Sequence, residues 1–232
     1  MPSNWSKGLT KNTNVSVRKI SETMKKRKID NFKLWREKMK SEGRIKSDYP
    51  ELVKNGDLAE LVGVTLGDGH ICRYPRTEEL RITSNAKNTG FVKRYANMIK
   101  AVFGKTAYIT HSNQCLATKV GLYEKHISRR LAIPTGSRKD LQIVVPNWIL
   151  KKKSYIVRYL RGLYEAEGSF CVHKPTSTYK LFFSNNNEPM LLNVFNLMKR
   201  LGFHPHLSKN QVQISRKDEV GRAIDLLNFR KY

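Results

Sequence analysis

Leu61-Val62-Gly63-Val64-Thr65-Leu66-Gly67-Asp68-Gly69 and Leu160-Arg161-Gly162-Leu163-Tyr164-Glu165-Ala166-Glu167-Gly168 are two versions of one nine-residue pattern. Each is an apolar stretch with small residues four apart, Gly63/Gly67 in the first and Gly162/Ala166 in the second. Residues four apart share a helix face, so each stretch predicts a helix that another backbone can approach closely, as in small-xxx-small helix contacts. Gly69 and Gly168 read as stops, on the expectation that glycine takes the left-handed conformation that ends helices.

The acids are out of place by ordinary rules. Asp68 and Glu167 fall in the last turn, where the helix dipole is negative and disfavours a carboxylate. If the two helices pack together, the carboxylates also meet and repel. A chain that does this twice is expected to hold a cation there, and carboxylate oxygens suit Mg²⁺ or Ca²⁺.

From residue 52 onward the chain reads as a tandem repeat with a period near 99 residues. In the first copy a helix over about 55–68 leads into strands near 69–74 and 79–85, with Pro75-Arg76-Thr77 as the turn. Asn88 to Phe103 is amphipathic, with Phe91, Tyr95, Met98, Ile99 and Val102 at helical spacing and Gly104 as its stop. A second hairpin over 105–111 and 115–122 and a closing helix near 124–132 complete the unit. The second copy repeats the order: helix 152–167, strands near 169–174 and 178–184, helix 188–201, strands near 203–208 and 211–215, helix 218–229. Ser84-Asn85 and Ser184-Asn185 fall at equivalent places. The expected class is α+β, an αββαββα unit occurring twice.

The 232 residues carry a net charge of +25, and 39% of them are hydrophobic. That is enough apolar content for a core, and the surplus charge points to a polyanion, most often nucleic acid. No apolar run approaches a membrane span, so the expected setting is intracellular, with the DNA. Cys72, Cys115 and Cys171 form no zinc-binding spacing and are expected to be reduced thiols in or near the core. Residues 1–47 are basic and poor in apolar side chains; Lys25, Lys26, Arg27 and Lys28 form their densest run. One or two basic helices that order on DNA are expected there. The divisions are a basic arm (1–47), a first unit (52–140), and a linker with the second unit (141–232).

The paired nonamers resemble the LAGLIDADG motif of homing endonucleases, and two copies in one chain resemble that family's monomeric branch. Leu66 stands where the consensus has its first acid, and Glu167 stands where aspartate is more usual. The resemblance implies two units packed through their motif helices, a β-saddle over a long duplex, and a metal-dependent double-strand break. It places Asp68 and Glu167, with Gly67 and Ala166 beside them, around two or three Mg²⁺ ions, for which Mn²⁺ or Ca²⁺ substitutes in binding. Ile133-Pro134-Thr135-Gly136-Ser137-Arg138-Lys139 resembles the segment that carries the family's lysine, so Lys139 is the expected basic group against developing phosphate charge, with Arg138 beside it. The second unit lacks this segment, which puts a second lysine in doubt and suggests unequal cutting of the two strands. Gly8-Leu9-Thr10-Lys11 with Val17-Arg18-Lys19-Ile20-Ser21-Glu22 is similar to a nuclease-associated modular DNA-binding motif. Strand alternation offers Arg73, Arg81, Thr83, His173, Lys180 and Ser184 to the duplex, with Arg76 at a turn and Lys174 at a strand end. Asn85 and Asn185 are candidates to organise water near the metals, or plain turn residues. An intron-RNA maturase and a DNA-binding regulator without chemistry remain the competing readings.

Overall fold

The computed structural model describes residues 6–112, 115–138 and 141–232. The chain divides into two compact units, one ending at Tyr49 and one running from Pro50 to Tyr232. The first contains helices α1 (Val15–Lys26) and α2 (Lys33–Ser41), and neither helix buries a residue. The Asn14 side chain caps α1 by accepting from the Ser16 and Val17 amides, while Lys25 and Lys26 lie in its last turn, where cations complement the dipole.

The second unit holds the repeat. Its first half runs α3 (Gly56–Gly67), β1 (Gly69–Arg73), β2 (Glu78–Asn85), α4 (Thr89–Phe103), β3 (Tyr108–His111), β4 (Ala117–Glu124) and α5 (Ile127–Leu131). A short helix, α6 (Asn147–Leu150), precedes the second half. That half runs α7 (Lys153–Glu167), β5 (Gly168–His173), β6 (Thr178–Ser184), α8 (Glu188–Arg200), β7 (His206–Ser208), β8 (Gln211–Ile214) and α9 (Lys217–Leu227). Each half forms a four-stranded antiparallel sheet, ordered β1-β2-β4-β3 and β5-β6-β8-β7. The class is therefore α+β with two copies of one unit, as the repeat predicts.

α3 is buried over most of its length because its residues are apolar nearly all round, whereas α7 is amphipathic and buries the face that includes Ile156, Tyr159, Leu160 and Leu163. They cross backbone to backbone. A Cβ on Gly63 would strike the Tyr159 carbonyl, one on Gly162 would strike the Glu60 carbonyl, and one on Gly67 would strike the Ala166 methyl. At the end of the helix pair remote from the acids, buried Glu60 of α3 accepts from Arg94 of α4 (2.6 and 2.8 Å) and from Arg158 of α7 (2.5 Å). A buried carboxylate needs such partners, and these also tie α3 to α7. The remaining helices cover one face of each sheet: Phe91, Tyr95 and Ile99 of α4 and Leu191, Val194 and Met198 of α8 join the strand residues Leu80, Ile82, Val120, Leu181, Phe183 and Val212 in one continuous core.

Two local expectations fail. Gly69 and Gly168 do not stop their helices in the left-handed region: Asp68 is the right-handed cap of α3, and Gly168 is already extended at φ −82°. Glycine is needed there because a Cβ would enter the last turn, against Thr65 and Tyr164 respectively. Gly104 and Gly202 do take positive φ. The cysteines are not core residues either. Cys72 is half-buried, Cys115 and Cys171 are exposed, and all three are free.

Candidate active site and nucleic-acid interface

Because α3 runs straight into β1 and α7 straight into β5, Asp68 and Glu167 stand where the helix pair meets the inner ends of the two sheets. The Glu167 side chain reaches within 3.3 Å of where a Gly67 Cβ would lie, so the small residues that let the helices touch also bring the acids together. The electrostatics follow. Asp68 keeps some exposed surface, yet the surrounding protein withdraws water from it and Glu167 repels its charge, pushing its pKa up to about 7. Burial likewise raises Glu167. Among the described residues no Lys or Arg forms an ion pair with either acid, and no group of three or more His, Cys, Asp or Glu side chains converges. Two hard oxygen donors, close together and uncompensated, fit a divalent cation whose remaining ligands come from water or phosphate.

The supports differ between halves. Asn185 donates to Glu167 (3.4 Å) and accepts from the Asn187 amide (2.8 Å). Asn85 accepts from the Lys87 amide (2.9 Å), as a turn residue does. Arg138 turns inward, donating to the Thr65 (3.0 Å) and Gly69 (2.5 Å) carbonyls at the end of α3. Burial lowers its pKa, and its Nη1 is buried without a hydrogen-bond partner. Lys139 lies outside the described residues. Its neighbour is nevertheless held in place, because Asn187 donates to the Arg138 (3.0 Å) and Leu141 (2.9 Å) carbonyls while capping α8. The sequence reading missed Asn187, which looks like any helix cap. It also missed Arg230, which donates to the Gly168 carbonyl (3.1 Å) and so does for α7 what Arg138 does for α3.

Register sorts the strand candidates. Arg81, Thr83 and Asn85 of β2 pair with Gly121, Lys119 and Ala117 of β4, and Tyr108 and Thr110 of β3 continue those rows. His70 and Cys72 of β1 share that face. It is the face away from Leu80 and Ile82, open to solvent in part. In the second half Thr178, Lys180, Phe182 and Ser184 of β6 share a face with Ser169, Cys171 and His173 of β5 and with Gln211 and Gln213 of β8. Arg73 pairs with Glu78 on the core side, at the end of β1, and Arg76 lies in the turn beyond it. Lys174 lies in the 3₁₀ turn Lys174–Thr176 between β5 and β6, where His173 Nδ1 bonds Thr176 Oγ1 at 2.7 Å. Lys119, Gln211 and Gln213 were legible by alternation but were not singled out. Lys25 to Lys28 close α1 in the separate arm, with Lys28 left-handed at φ 52°.

The fold is a two-unit α+β arrangement like that of LAGLIDADG proteins. Residues 154–232 match the family described as the LAGLIDADG-like domain, and no curated protein matches the chain in sequence. Among solved structures, the homing endonuclease I-DmoI in complex with DNA and Mn is 17% identical with a TM-score of 0.51, covering 74% of this chain and 96% of that one. The same endonuclease with DNA and Ca gives 16% and 0.50, covering 74% and 88%. The N-terminal LAGLIDADG domain of DUF199/WhiA gives 15% and 0.52, covering 79% and 88%. At such identities the likeness is one of fold. Among the described residues no helix is long and apolar enough to cross a membrane.

Proposed function

We propose that this protein is a sequence-specific, metal-dependent DNA endonuclease that makes a double-strand break at a long asymmetric site. The observation that carries this reading is the pair Asp68 and Glu167, brought together by glycine-mediated helix contact where the two sheets begin and without an ion-pair partner among the described residues. Asp68 and Glu167, flanked by Gly67 and Ala166, would hold two or three Mg²⁺ ions. Bound there, such ions supply a polarised phosphate and an activated water. The chain's own groups do the rest. Asn185 orients Glu167, Arg138 and Arg230 hold the ends of the motif helices, and Lys139 is the proposed neutralising base near the phosphate. The exposed sheet faces carry the duplex, with Arg81, Thr83, Lys180, Ser184 and His173 as contacts, and Arg73, Arg76 and Lys174 reach the backbone from strand ends and turns. The arm, through Lys25 to Lys28, adds phosphate contacts. Both motif helices reside in one chain, so a monomer suffices.

I-DmoI, of the same fold, is known in complex with DNA and Mn or Ca, which supports both DNA and a divalent ion as partners here. The fold also occurs in DUF199/WhiA, so the fold by itself does not assign cleavage; the paired acids are what favour it here. A DNA-binding regulator would need the basic faces and no carboxylate pair, whereas an intron-RNA maturase could use the same basic faces alongside it. The test is incubation with Mg²⁺ and a randomised duplex library, followed by sequencing of cut ends. One recurrent cut site that disappears with chelator is expected. Tight, salt-sensitive binding without any cut would leave the regulator reading standing instead.

A further inference from the structure

The outer end of the first sheet carries a construction with no counterpart in the second. On the exposed face, Glu79 pairs across β4 with Tyr123, one row farther from Asp68 than Arg81. Glu79 is nearly buried, at 4% exposure. It accepts from the Tyr74 hydroxyl (3.0 Å) and the Tyr108 hydroxyl (2.5 Å), with the Tyr123 phenol nearby. Burial alone would raise its carboxyl, but the phenols and nearby Arg81 outweigh that and hold it below the ordinary value. The rings stack around it. Tyr108 and Tyr123 lie 5.5 Å apart at 29°, and Tyr74 and Tyr123 lie 6.2 Å apart at 49°. Gly121 favours the cluster, because a Cβ there would strike the Leu80 carbonyl and crowd the Tyr108 hydroxyl and ring. Even so, Tyr74 and Tyr123 remain 44% and 46% exposed.

The chemistry of this patch is unlike that of its neighbours. The hydroxyls are turned to Glu79, so they are not offered to a phosphate, and the buried carboxylate repels one. What faces outward is aromatic carbon, held rigid at little further entropic cost. In the major groove, the group that apolar carbon reads is the thymine C5-methyl. We propose that Tyr74 and Tyr123, clamped by Glu79, form a platform that reads thymine methyls in the outer part of one half-site. This rests on the reading of the protein as a DNA endonuclease. Apart from half-buried Phe182, the second sheet offers mainly hydroxyl and amide groups at its corresponding face, among them Thr178, Gln211 and Gln213, and so reads its half-site chiefly by hydrogen bonds. Methyl dependence is thus strongest on the Tyr74/Tyr123 side of the cut.

The test uses full-length protein carrying Asp68→Asn, so that bound duplex stays intact, and Ca²⁺. Two randomised duplex libraries, identical except that one contains deoxyuridine in place of thymidine, are each selected for binding and sequenced. The expected result is thymine enriched at one or two positions in one half-site, with uracil enriched there about fourfold less for each methyl lost. Tyr123→Ala and Tyr74→Ala should erase the same positions on the thymidine library and spare the other half-site. Identical preferences from both libraries would overturn the platform while leaving sequence-specific binding intact. Failure of the protein to enrich any sequence would overturn the platform together with the function it rests on. The comparison of libraries needs no tyrosine variant to fold.

Discussion

The two motif ends solve one problem with different parts. In the first, Leu66 is apolar, and the end of α3 is closed by Arg138 from the segment that follows α5. In the second, Glu165 takes the place of Leu66 and accepts from the Arg230 amide (2.8 Å) and the Tyr232 hydroxyl, so the last residues of the chain are drawn in to close α7. Burial still raises Glu165, against the pull of Tyr232 and Arg230. Arg161 adds a bond to the Lys231 carbonyl at 2.8 Å. What stays alike is the helix crossing and the two acids facing each other, Asp68 and Glu167. The comparison teaches that the repeat preserves the carboxylate pair and leaves its scaffolding free to diverge. Either acid alone should therefore be indispensable. Asp68→Asn and Glu167→Gln are each expected to lower Mg²⁺-dependent double-strand cleavage on the order of 10⁴-fold while duplex binding in a gel-shift persists. Full cutting by either variant would break the symmetry on which the site rests.

The glycines sharpen the same comparison. Gly63 and Gly162 face each other across the crossing, where a methyl meets a carbonyl that cannot move without separating the helices. Gly104 ends α4 at φ +66° with open space around it. Gly63→Ala or Gly162→Ala should cost about 3 kcal/mol by overpacking, and Gly104→Ala about 1 kcal/mol by backbone strain alone. Urea midpoints rank the three variants. Equal costs would mean that the helix seam is more yielding than its geometry implies.

Most of the second unit's architecture was legible before any coordinates, for a physical reason. Apolar periodicity distinguishes α4 and α8 from the strands, and small residues four apart announce a helix contact. The start of β7, a strand of three residues, lies later than the sequence suggests, because alternation reaches back before the first ladder bond. Direction was harder. Arg138 reads as a phosphate ligand by charge, yet it points inward because two helix-end carbonyls need a donor. Arg73 lies one residue past Cys72, and that single step moves it to the other face. Asn187 and the Tyr–Glu79 cluster were invisible because each joins residues far apart in sequence, and no local pattern encodes such a meeting.

The raised pKa of Asp68 turns the carboxylate pair into a stability measurement. Its folded value, about 7, exceeds the ordinary 3.8. The protonated form is thus favoured by folding, so stability is full below pH 4 and is lost as pH rises toward 7. Asn cannot ionise, and Asp68→Asn escapes that loss. The full shift corresponds to roughly 4 kcal/mol, but Asp68 retains exposed surface and solvent screening reduces this to about 1–2 kcal/mol. In chelator, the variant should match the native chain near pH 4 and exceed it at pH 8 by denaturant unfolding. A native chain that is equally stable at both values relative to the variant would mean that neither burial nor the neighbouring Glu167 charge strains the Asp68 carboxylate.

The smallest effect isolates the asymmetry between the halves. Asn85 and Asn185 occupy equivalent turns, and each accepts a backbone amide two residues on. Only Asn185 has a described bond to its motif acid, so replacing each by alanine removes a like turn and differs chiefly in that contact and in the Asn187 amide that Asn185 holds. Losing one hydrogen bond to a charged group costs about 1.5–3 kcal/mol at most, and at 3.4 Å the lower end applies. Asn185→Ala should therefore slow cutting of one strand by about tenfold, while Asn85→Ala leaves both strands near the native rate. Duplexes labelled on one strand at a time separate the two rates. Equal slowing of both strands by Asn185→Ala would show that Glu167 serves the two phosphates together. In that case the divergent scaffolding would not be felt in the chemistry, because the pair of acids would respond as one unit however each is held.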